Sequence, residues 1–442
     1  MSSSKKIKRV FIGPVEICGI SEGLAVGLKS LKIDAQVCLS SMHPFEYGLS
    51  NQDFIYKMWT IIGEHFKNIK KKNIIKKILT FLVYKTWSWV VFFNSIFHFN
   101  AFIFIFGQTI TNSRLELALL SFFKKPIVFI YVGSDSRPPY INGSIISSNR
   151  WLSRNLKQIT RLIKNKISTH ENHTKYLINS PYTAQFHNNF CINWFAMGIP
   201  RVFPNYINKD IDRDDCRIRI LHSPSNPIFK GTEVIEGVVE RLKNKGYPID
   251  FIIIKGMPNK TVLLELSRCD FVVDQLYSDT PLAVFATEAA FYGKPAVVGG
   301  YGFDKLRSLV PESMWPPSKT CHPDDIEQAI EDMIVNKEER ERLGAEVQKF
   351  VRERWDATEV ARRYLQLIAG DVPDKWWFDP KRVSYVEGAG QSAEQTKEKV
   401  RRMVKKYGSS SLQLSHRPEL ELAFLEYAGV KGGEDASGVF ER

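Results

Sequence analysis

The feature that most constrains the fold is a regular alternation of apolar strands with amphipathic helices. In the first half, the strand patterns are "KRVFIG", "AQVCLS", "AFIFIF" and "PIVFIYVG". In the second half they are "RIRILHSP", "IDFIIIKG", "DFVVDQL" and "KPAVVGG", with helical patterns such as "GTEVIEGVVERLKNKG" between them. Strands that alternate with helices form βαβ units and parallel sheets. The chain therefore predicts an α/β fold of two Rossmann-like, doubly wound domains.

The boundary between the two domains is predicted at "NWFAMGIPRVFPNY", which has the glycine and proline content of a crossing linker. We predict an N-terminal domain over residues 1–205, a C-terminal domain over 206–370, and a tail over 371–442 with one or two short helices. An insertion at about residues 65–99 interrupts the first domain. Domains of this class bind ligands in a cleft at the carboxyl ends of their strands, so the candidate loops are those that follow strands.

Charge and cysteine usage narrow the class of partner. The net charge of +13 favours an anionic partner, which is a phosphorylated small molecule, an acidic membrane surface or nucleic acid. No nucleic-acid recognition motif is present, so we expect no nucleic-acid partner. The six cysteines are scattered, as in reduced cytoplasmic proteins, and the N-terminus does not predict a signal peptide.

A lone carboxylate marks the stretch "TPLAVFATEAAFYGKPAVVGG", residues 280–300. Glu288 is the single acidic residue of an otherwise apolar helical pattern. A solvated helix face would carry several charges, and a core helix would carry none. Glu288 is therefore either an isolated surface residue or a buried group whose polar partner lies outside the sequence.

Two loops predict a phosphate site. Lys230, in "HSPSNPIFKGTE", follows a strand and opens a helix, so it is either a solvated lysine or a counter-charge for a phosphate. Gly19, in "EICGISEG", would let a backbone loop approach a diphosphate closely.

A helix N-terminus is predicted to complete this site. Thr280 and Pro281 suit the N-cap and first position of a helix. The free amides of Leu282, Ala283 and the residue after them would then form an anion site.

These segments resemble a known family. "HSPSNPIFKGTEVI", "DFVVDQL" and "FATEAAFYGKPAVV" are similar to the C-terminal domain of retaining GT-B glycosyltransferases of the family 4 type, over about residues 217–369. The N-terminal half matches more loosely. The resemblance implies two Rossmann-like domains facing across a cleft, a nucleotide-diphosphate sugar as donor, retention of anomeric configuration, and no cofactor or essential metal.

The resemblance also implies roles for single residues. Glu288 would accept hydrogen bonds from the donor ribose hydroxyls. The family's glutamate eight positions earlier is Thr280 here, and the adjacent Asp279 is the candidate to replace it as a catalytic residue. The family's arginine five residues before the lysine is Ser225, which makes this donor site less charged than usual.

A second candidate catalytic residue comes from the N-terminal domain. Asp135, in "YVGSDSRPPY", lies just beyond a predicted strand together with Arg137. Asp135 is either a local turn residue or a cleft carboxylate that orients or deprotonates the acceptor hydroxyl.

The insertion combines a basic segment with a largely apolar one, "KNIKKKNIIKKILTFLVYKTWSWVVFFNSIFHF". Lys85, Asn94 and His98 interrupt the apolar part, so a membrane-spanning helix is not predicted. Two interpretations remain: core packing, or an interfacial helix on an anionic membrane. In the second, the membrane-facing cations would be Lys70, Lys71, Lys72, Lys76 and Lys77.

The sequence thus predicts a cytoplasmic glycosyltransferase, peripheral at the inner face of the cell membrane. It would move a sugar from a nucleotide-diphosphate sugar to a saccharide or lipid-linked saccharide in cell-surface polysaccharide assembly. One alternative is a sugar-nucleotide epimerase, which would have to use Asp135 with His170 or His173. Another is a non-catalytic protein that binds sugar nucleotides or membranes.

Overall fold

The N-terminal domain is built on a parallel sheet. The computed structural model describes residues 7–41, 53–69, 73–147, 155–203 and 217–430. Within these ranges the strands are β1 (Arg9–Gly13), β2 (Asp34–Val37), β3 (Ala101–Ile105), β4 (Ile127–Ile130), β5 (Tyr176–Asn179), β6 (Cys191–Asn193) and, from far along the chain, β12 (Trp377–Phe378). Their order is β12-β6-β5-β4-β3-β1-β2, and only β12 runs antiparallel to its neighbour.

Helices cover both faces of this sheet. They are α1 (Ile20–Ser30), α2 (Phe54–Asn68), α3 (Ile74–His98), α4 (Arg114–Phe122), α5 (Ser144–Ser147), α6 (Leu156–Glu171) and α7 (Trp194–Met197). The chain steps from β1 to β2 in one direction and from β2 through β3 to β4 in the other. Because such crossovers are right-handed, α1 lies on one face and α3 and α4 lie on the opposite face.

The central strands form because their residues are apolar on both faces. Every residue of β3 and β4 is buried, as expected for interior strands of a parallel sheet covered by helices. Aromatic side chains join the neighbouring strands. The ring of Phe104 on β3 lies 6.0 Å from that of Phe11 on β1 and 5.4 Å from that of Phe129 on β4.

The C-terminal domain has its own parallel sheet. Its strands are β7 (Ile218–His222), β8 (Ile249–Ile253), β9 (Phe271–Val273), β10 (Ala296–Gly299) and β11 (Lys319–Cys321), in the order β11-β10-β9-β7-β8. Its helices are α8 (Pro227–Lys230), α9 (Thr232–Asn244), α10 (Asn259–Arg268), α11 (Val284–Phe291), α12 (Phe303–Ser308), α13 (Ile326–Val335) and α14 (Lys337–Arg354). One core on this sheet packs Ile220, Val239 and Phe271 against α13.

The chain then returns to the first domain. Helix α15 (Ala357–Ala369) packs against α1 at Gly27, where a side chain would collide with the carbonyl group of Ala357. Helices α16 (Ala393–Tyr407) and α17 (Pro418–Tyr427) follow β12. The segment predicted as a tail therefore packs into the N-terminal domain as far as residue 430. Phe424, for example, lies edge-on to Tyr140, with ring centroids 5.2 Å apart.

The two crossings between the domains run side by side. The N–H of Arg201 donates to the carbonyl of Trp355 at 2.9 Å, and the N–H of Ala357 donates to the carbonyl of Arg201 at 2.8 Å. The predicted α/β architecture, two doubly wound domains facing across a cleft with a helical C-terminal segment, is confirmed.

The insertion forms a pair of packed helices, α2 and α3. The ring of Phe66 on α2 stacks on Tyr84 of α3 at 6.0 Å, and the indole of Trp59 donates to Ser88 at 3.0 Å. None of the helices in the described ranges is long and apolar enough to cross a membrane.

Candidate functional site

Two adjoining cavities open in the cleft between the domains. The larger, of about 380 Å³, is lined by Gly19, Arg201, Asn259 and Glu288 among others. The smaller, of about 140 Å³, is lined by Cys18, Arg137, Asp279 and Thr280 among others. The loop between β1 and α1 lines both cavities, with Cys18 at the smaller and Gly19 at the larger. The cleft is therefore where the strand-end loops predicted it.

Glu288 lies on α11 and faces the larger cavity. It is buried, with 7% of its surface exposed. Its Oε1 accepts a hydrogen bond from Nδ2 of Asn259 at 3.2 Å and lies 3.8 Å from Nη1 of Arg201. Burial raises the pKa of Glu288, and the Arg201 charge opposes that rise. The surface interpretation is thus wrong, and two partners of the carboxylate lie within the chain.

Arg201 is a charged residue of the cleft that the sequence analysis did not predict. It lies in the crossover after α7, where its backbone is fixed by the hydrogen bonds to residues 355–357. Its Nη1 is 3.2 Å from the position that a Cβ atom on Gly19 would take. Gly19 has a φ of 77°, so a side chain there would be strained as well as crowded. Arg201 is the single charged residue of the apolar stretch "FAMGIPRVF". This isolated charge could have indicated a buried functional residue, as the isolated charge of Glu288 did.

Lys230 is the last residue of α8, and it is not a solvated lysine. Its Nζ donates to Oδ1 of Asp274 at 2.7 Å. Asp274 follows β9 and is buried, and its Oδ2 has no hydrogen-bond partner in the described part of the chain. A buried acceptor without a partner costs free energy, so this pair is suited to take up a further polar ligand.

The predicted start of the Glu288 helix is wrong. Helix α11 begins at Val284 with Ala283 as N-cap, whereas Thr280 and Pro281 lie in the preceding bend. The reason is Ser278, whose Oγ accepts from the N–H of Thr280 at 3.1 Å and donates to its carbonyl at 2.7 Å. Side-chain hydrogen bonds of this kind compete with helix formation.

The shift changes which amides an anion could use. The first-turn amides without an intrahelical partner are those of Val284, Phe285 and Ala286, because the first helical hydrogen bond runs from the N–H of Thr287 to the carbonyl of Ala283. Thr280, Leu282 and Ala283 all line the smaller cavity. The Oγ1 of Thr280 is buried and has no hydrogen-bond partner among the described residues.

Asp279 forms an ion pair across the cleft. The Nε of Arg137 donates to Oδ2 of Asp279 at 3.0 Å, and the Nη2 of Arg137 contacts the same oxygen. Both side chains are buried and line the smaller cavity. The pair joins the loop after β4 to the loop after β9. The catalytic role of Asp279 stays a prediction.

Asp135 has the geometry of a turn residue. Its Oδ1 accepts from the N–H of Val132 at 3.0 Å, and its Oδ2 has no partner in the ranges that the structure describes. Burial raises its pKa, and the charge of Lys166 opposes that rise. Gly133 and Arg137, on either side of it, line the smaller cavity, whereas Asp135 is buried beside them.

The remaining predicted positions lie away from the cavities or outside the described residues. Ser225 is exposed in the loop before α8 and lines neither cavity. Of the predicted membrane-facing lysines, Lys70, Lys71 and Lys72 are outside the described residues.

The histidines required by the epimerase alternative do not face the cleft. The ring of His170 stacks on Phe129 at 3.8 Å, and its Nδ1 is bonded to the hydroxyl of Tyr131 at 2.7 Å. Burial lowers the pKa values of His170 and His173. Both histidines therefore favour the neutral form, away from the two cavities.

Comparisons show only distant similarity. No family model and no curated protein matches the chain. It is similar to HepE of Anabaena in complex with UDP and glucose, at 11% identity and a TM-score of 0.46, over 82% of this chain and 100% of that one. Starch synthase IV of Arabidopsis thaliana, as a catalytic domain bound to ADP and acarbose, has 11% identity and a TM-score of 0.46, over 83% and 99%. Sequence identities and TM-scores this low do not assign a function to this chain.

Proposed function

We propose that the protein is a glycosyltransferase that uses a nucleotide-diphosphate sugar as donor. The observation that carries this proposal is a buried carboxylate, Glu288, held by Asn259 and Arg201 at a cavity between two doubly wound domains. A buried carboxylate is costly unless hydrogen bonds compensate it. The two hydroxyl groups of a ribose would supply two such bonds.

The diphosphate and the sugar of the donor are placed from the charges of the residues around the cleft. We infer that Lys230 and the first-turn amides of α11 face the diphosphate, since cations and helix N-termini both favour phosphate. The sugar would then extend toward the smaller cavity, beside Asp279 and Thr280. There the bond from the anomeric carbon to the diphosphate oxygen breaks and the acceptor oxygen bonds to the same carbon. The departing diphosphate oxygen takes the proton that the acceptor hydroxyl loses. Retention of configuration and a role in cell-surface polysaccharide assembly are part of this proposal.

The direct test is release of nucleoside diphosphate from a panel of nucleotide sugars, with saccharide and lipid-linked acceptors. We expect release with at least one donor and incorporation of its sugar into an acceptor. Interconversion of the donor sugar without release would support the epimerase instead. Tight donor binding without either reaction would support the non-catalytic protein.

We also propose that turnover needs no divalent metal, because side-chain cations and helix amides neutralise the diphosphate. Activity in excess chelator should equal activity in added magnesium or manganese. Loss of activity with chelator, restored by manganese, would contradict this. The acidic run "DRDD" at residues 212–215, whose aspartates would be the sequence's candidate ligands for such a metal, lies outside the described residues.

We propose further that α3 contacts an anionic membrane surface. Ile75 and Leu79 are 77% and 58% exposed, and other large apolar side chains along the same helix are also exposed, namely Ile74, Ile78, Leu82, Val90, Phe93 and Phe97. Exposed apolar surface of this extent marks an interaction site. Lys76 is exposed beside it, next to the basic run that precedes the helix.

The membrane contact predicts a matched pair of variants. Ile75→Glu with Leu79→Glu should lower binding to anionic vesicles by about tenfold or more, since burying each apolar side chain contributes roughly 1.5–3 kcal/mol. Binding of the wild type should also fall with salt. Leu264→Glu, on an exposed leucine of α10, is the control and should bind as the wild type does. Equal sedimentation of all three proteins with vesicles would reject α3 as the contact.

A further inference from the structure

The three cations that are candidates for phosphate binding, Arg137, Arg201 and Lys230, differ in how far their charges are already neutralised, and only the two arginines line the cavities. Lys230 is hydrogen-bonded to Asp274 at 2.7 Å, and Arg137 is hydrogen-bonded to Asp279 at 3.0 Å. The contact of Arg201 with Glu288 is longer, at 3.8 Å, and involves only Nη1. Arg201 is thus the cation with the most unused hydrogen-bonding capacity.

The unused atoms of Arg201 form one edge of the guanidinium group. Its Nε and Nη2 are buried and have no hydrogen-bond partner in the described part of the chain. These two nitrogens lie on the same side of the planar group, and together they present two parallel N–H groups. This fork matches the spacing of two oxygen atoms on a phosphate or a carboxylate.

Because Arg201 is buried at the larger cavity, this edge can bind only an anion that enters the cleft. Arg201 is 8% exposed and lines the larger cavity beside Gly19 and Glu288. Arg201 and Lys230 both act on the thiol of Cys18, where their charges lower a pKa that burial raises. Both cations therefore lie within electrostatic range of the loop between β1 and α1, and they reach it from different elements.

We propose that Arg201 binds the diphosphate of the donor through its Nε–Nη2 edge. The crossover between the domains would thereby supply the second phosphate cation, in place of an arginine at the position of Ser225. This inference rests on the proposed function and adds a specific residue to it. Because the backbone of Arg201 is bonded to residues 355–357, the phosphate would be held at the point where both crossings meet.

Inorganic pyrophosphate is the probe, because it requires no knowledge of the base. Arg201→Met should lower the affinity for pyrophosphate by about tenfold or more in a calorimetric titration. Arg201→Lys keeps the charge but loses the two parallel N–H groups, so its affinity for pyrophosphate should lie between those of the wild type and Arg201→Met. Arg241→Met is the control, since Arg241 pairs with Glu327 on the surface at 2.7 Å, and it should bind as the wild type does.

A double variant separates phosphate binding from an effect through Glu288. In a Glu288→Gln background, Arg201→Met should still weaken pyrophosphate binding. No further loss in that background would overturn the inference, as would wild-type affinity in Arg201→Met itself, and the proposed function would stand in both cases. A wild type that binds neither pyrophosphate nor any nucleotide sugar would overturn both. Thermal unfolding of each variant verifies that it is folded.

Discussion

Glu288→Gln is expected to lower donor affinity by about tenfold or more and to stabilise the ligand-free protein. The loss of affinity follows because a hydrogen bond to a charged group contributes roughly 1.5–3 kcal/mol. The gain in stability follows from burial, which raises the pKa of Glu288 more than Arg201 lowers it. The ionised carboxylate is therefore unfavourable in the folded, ligand-free state.

The raised pKa of Glu288 predicts opposite pH dependences for the stability of the protein and for its affinity for the donor. A carboxyl with a raised folded pKa binds more protons when folded, so the free energy of unfolding falls as pH rises from the ordinary glutamate pKa through the raised one. Glu288→Gln should remove this fall. Donor affinity should instead rise over that window, because the ionised form accepts the ribose bonds.

A calorimetric titration and a thermal unfolding series across pH measure both effects. Glu341→Gln, an exposed glutamate of α14, is the control and should change neither quantity. A Glu288→Gln protein with wild-type donor affinity would remove Glu288 from the donor site. A variant less stable than the wild type at neutral pH would contradict the account of its burial.

Lys230→Met should lower both donor affinity and stability. The affinity should fall by about tenfold or more, since a phosphate counter-charge is lost. The free energy of unfolding should fall by about 3 kcal/mol, because removing Lys230 from a partly buried ion pair leaves a fully buried charge uncompensated. That partner is Asp274, which is buried and whose Oδ2 already lacks a bond within the described residues.

The double variant Lys230→Met with Asp274→Asn distinguishes the two effects. Replacing the uncompensated charge should recover most of the stability, and donor affinity should stay low. Recovery of affinity along with stability would show that Lys230 acts only by neutralising Asp274. Chemical denaturation and a donor titration on the same preparations provide the two measurements.

Much of the fold was predictable because its central strands are apolar on both faces. The patterns "AFIFIF" and "PIVFIYVG" correspond to β3 and β4, and the alternation of strands and helices correctly predicted two parallel sheets. Strands β5 and β6 were not predicted. They are short and end in Asn179 and Asn193, so they show neither a long apolar run nor an alternation.

The site was less predictable because its contacts join distant parts of the chain. Glu288 was recognisable as the lone charge of an apolar helical pattern, and Lys230 as a cation in a loop that follows a strand. Their partners Asn259 and Asp274 lie 29 and 44 residues away in the sequence. Sheet pairing brings Asp274 near Lys230, because β7 and β9 run parallel. The start of α11 depends on the side-chain hydrogen bonds of Ser278, which helix propensity does not show.

We propose that a nucleoside diphosphate occupies the cleft between the two domains. A crystal structure of the protein with the nucleoside diphosphate that binds most tightly in a titration panel tests this most directly. We expect the ribose hydroxyls to be hydrogen-bonded to Glu288 and the diphosphate to lie between Lys230 and Arg201. A nucleotide bound elsewhere, or one in the cleft whose ribose makes no hydrogen bond to Glu288, would contradict it.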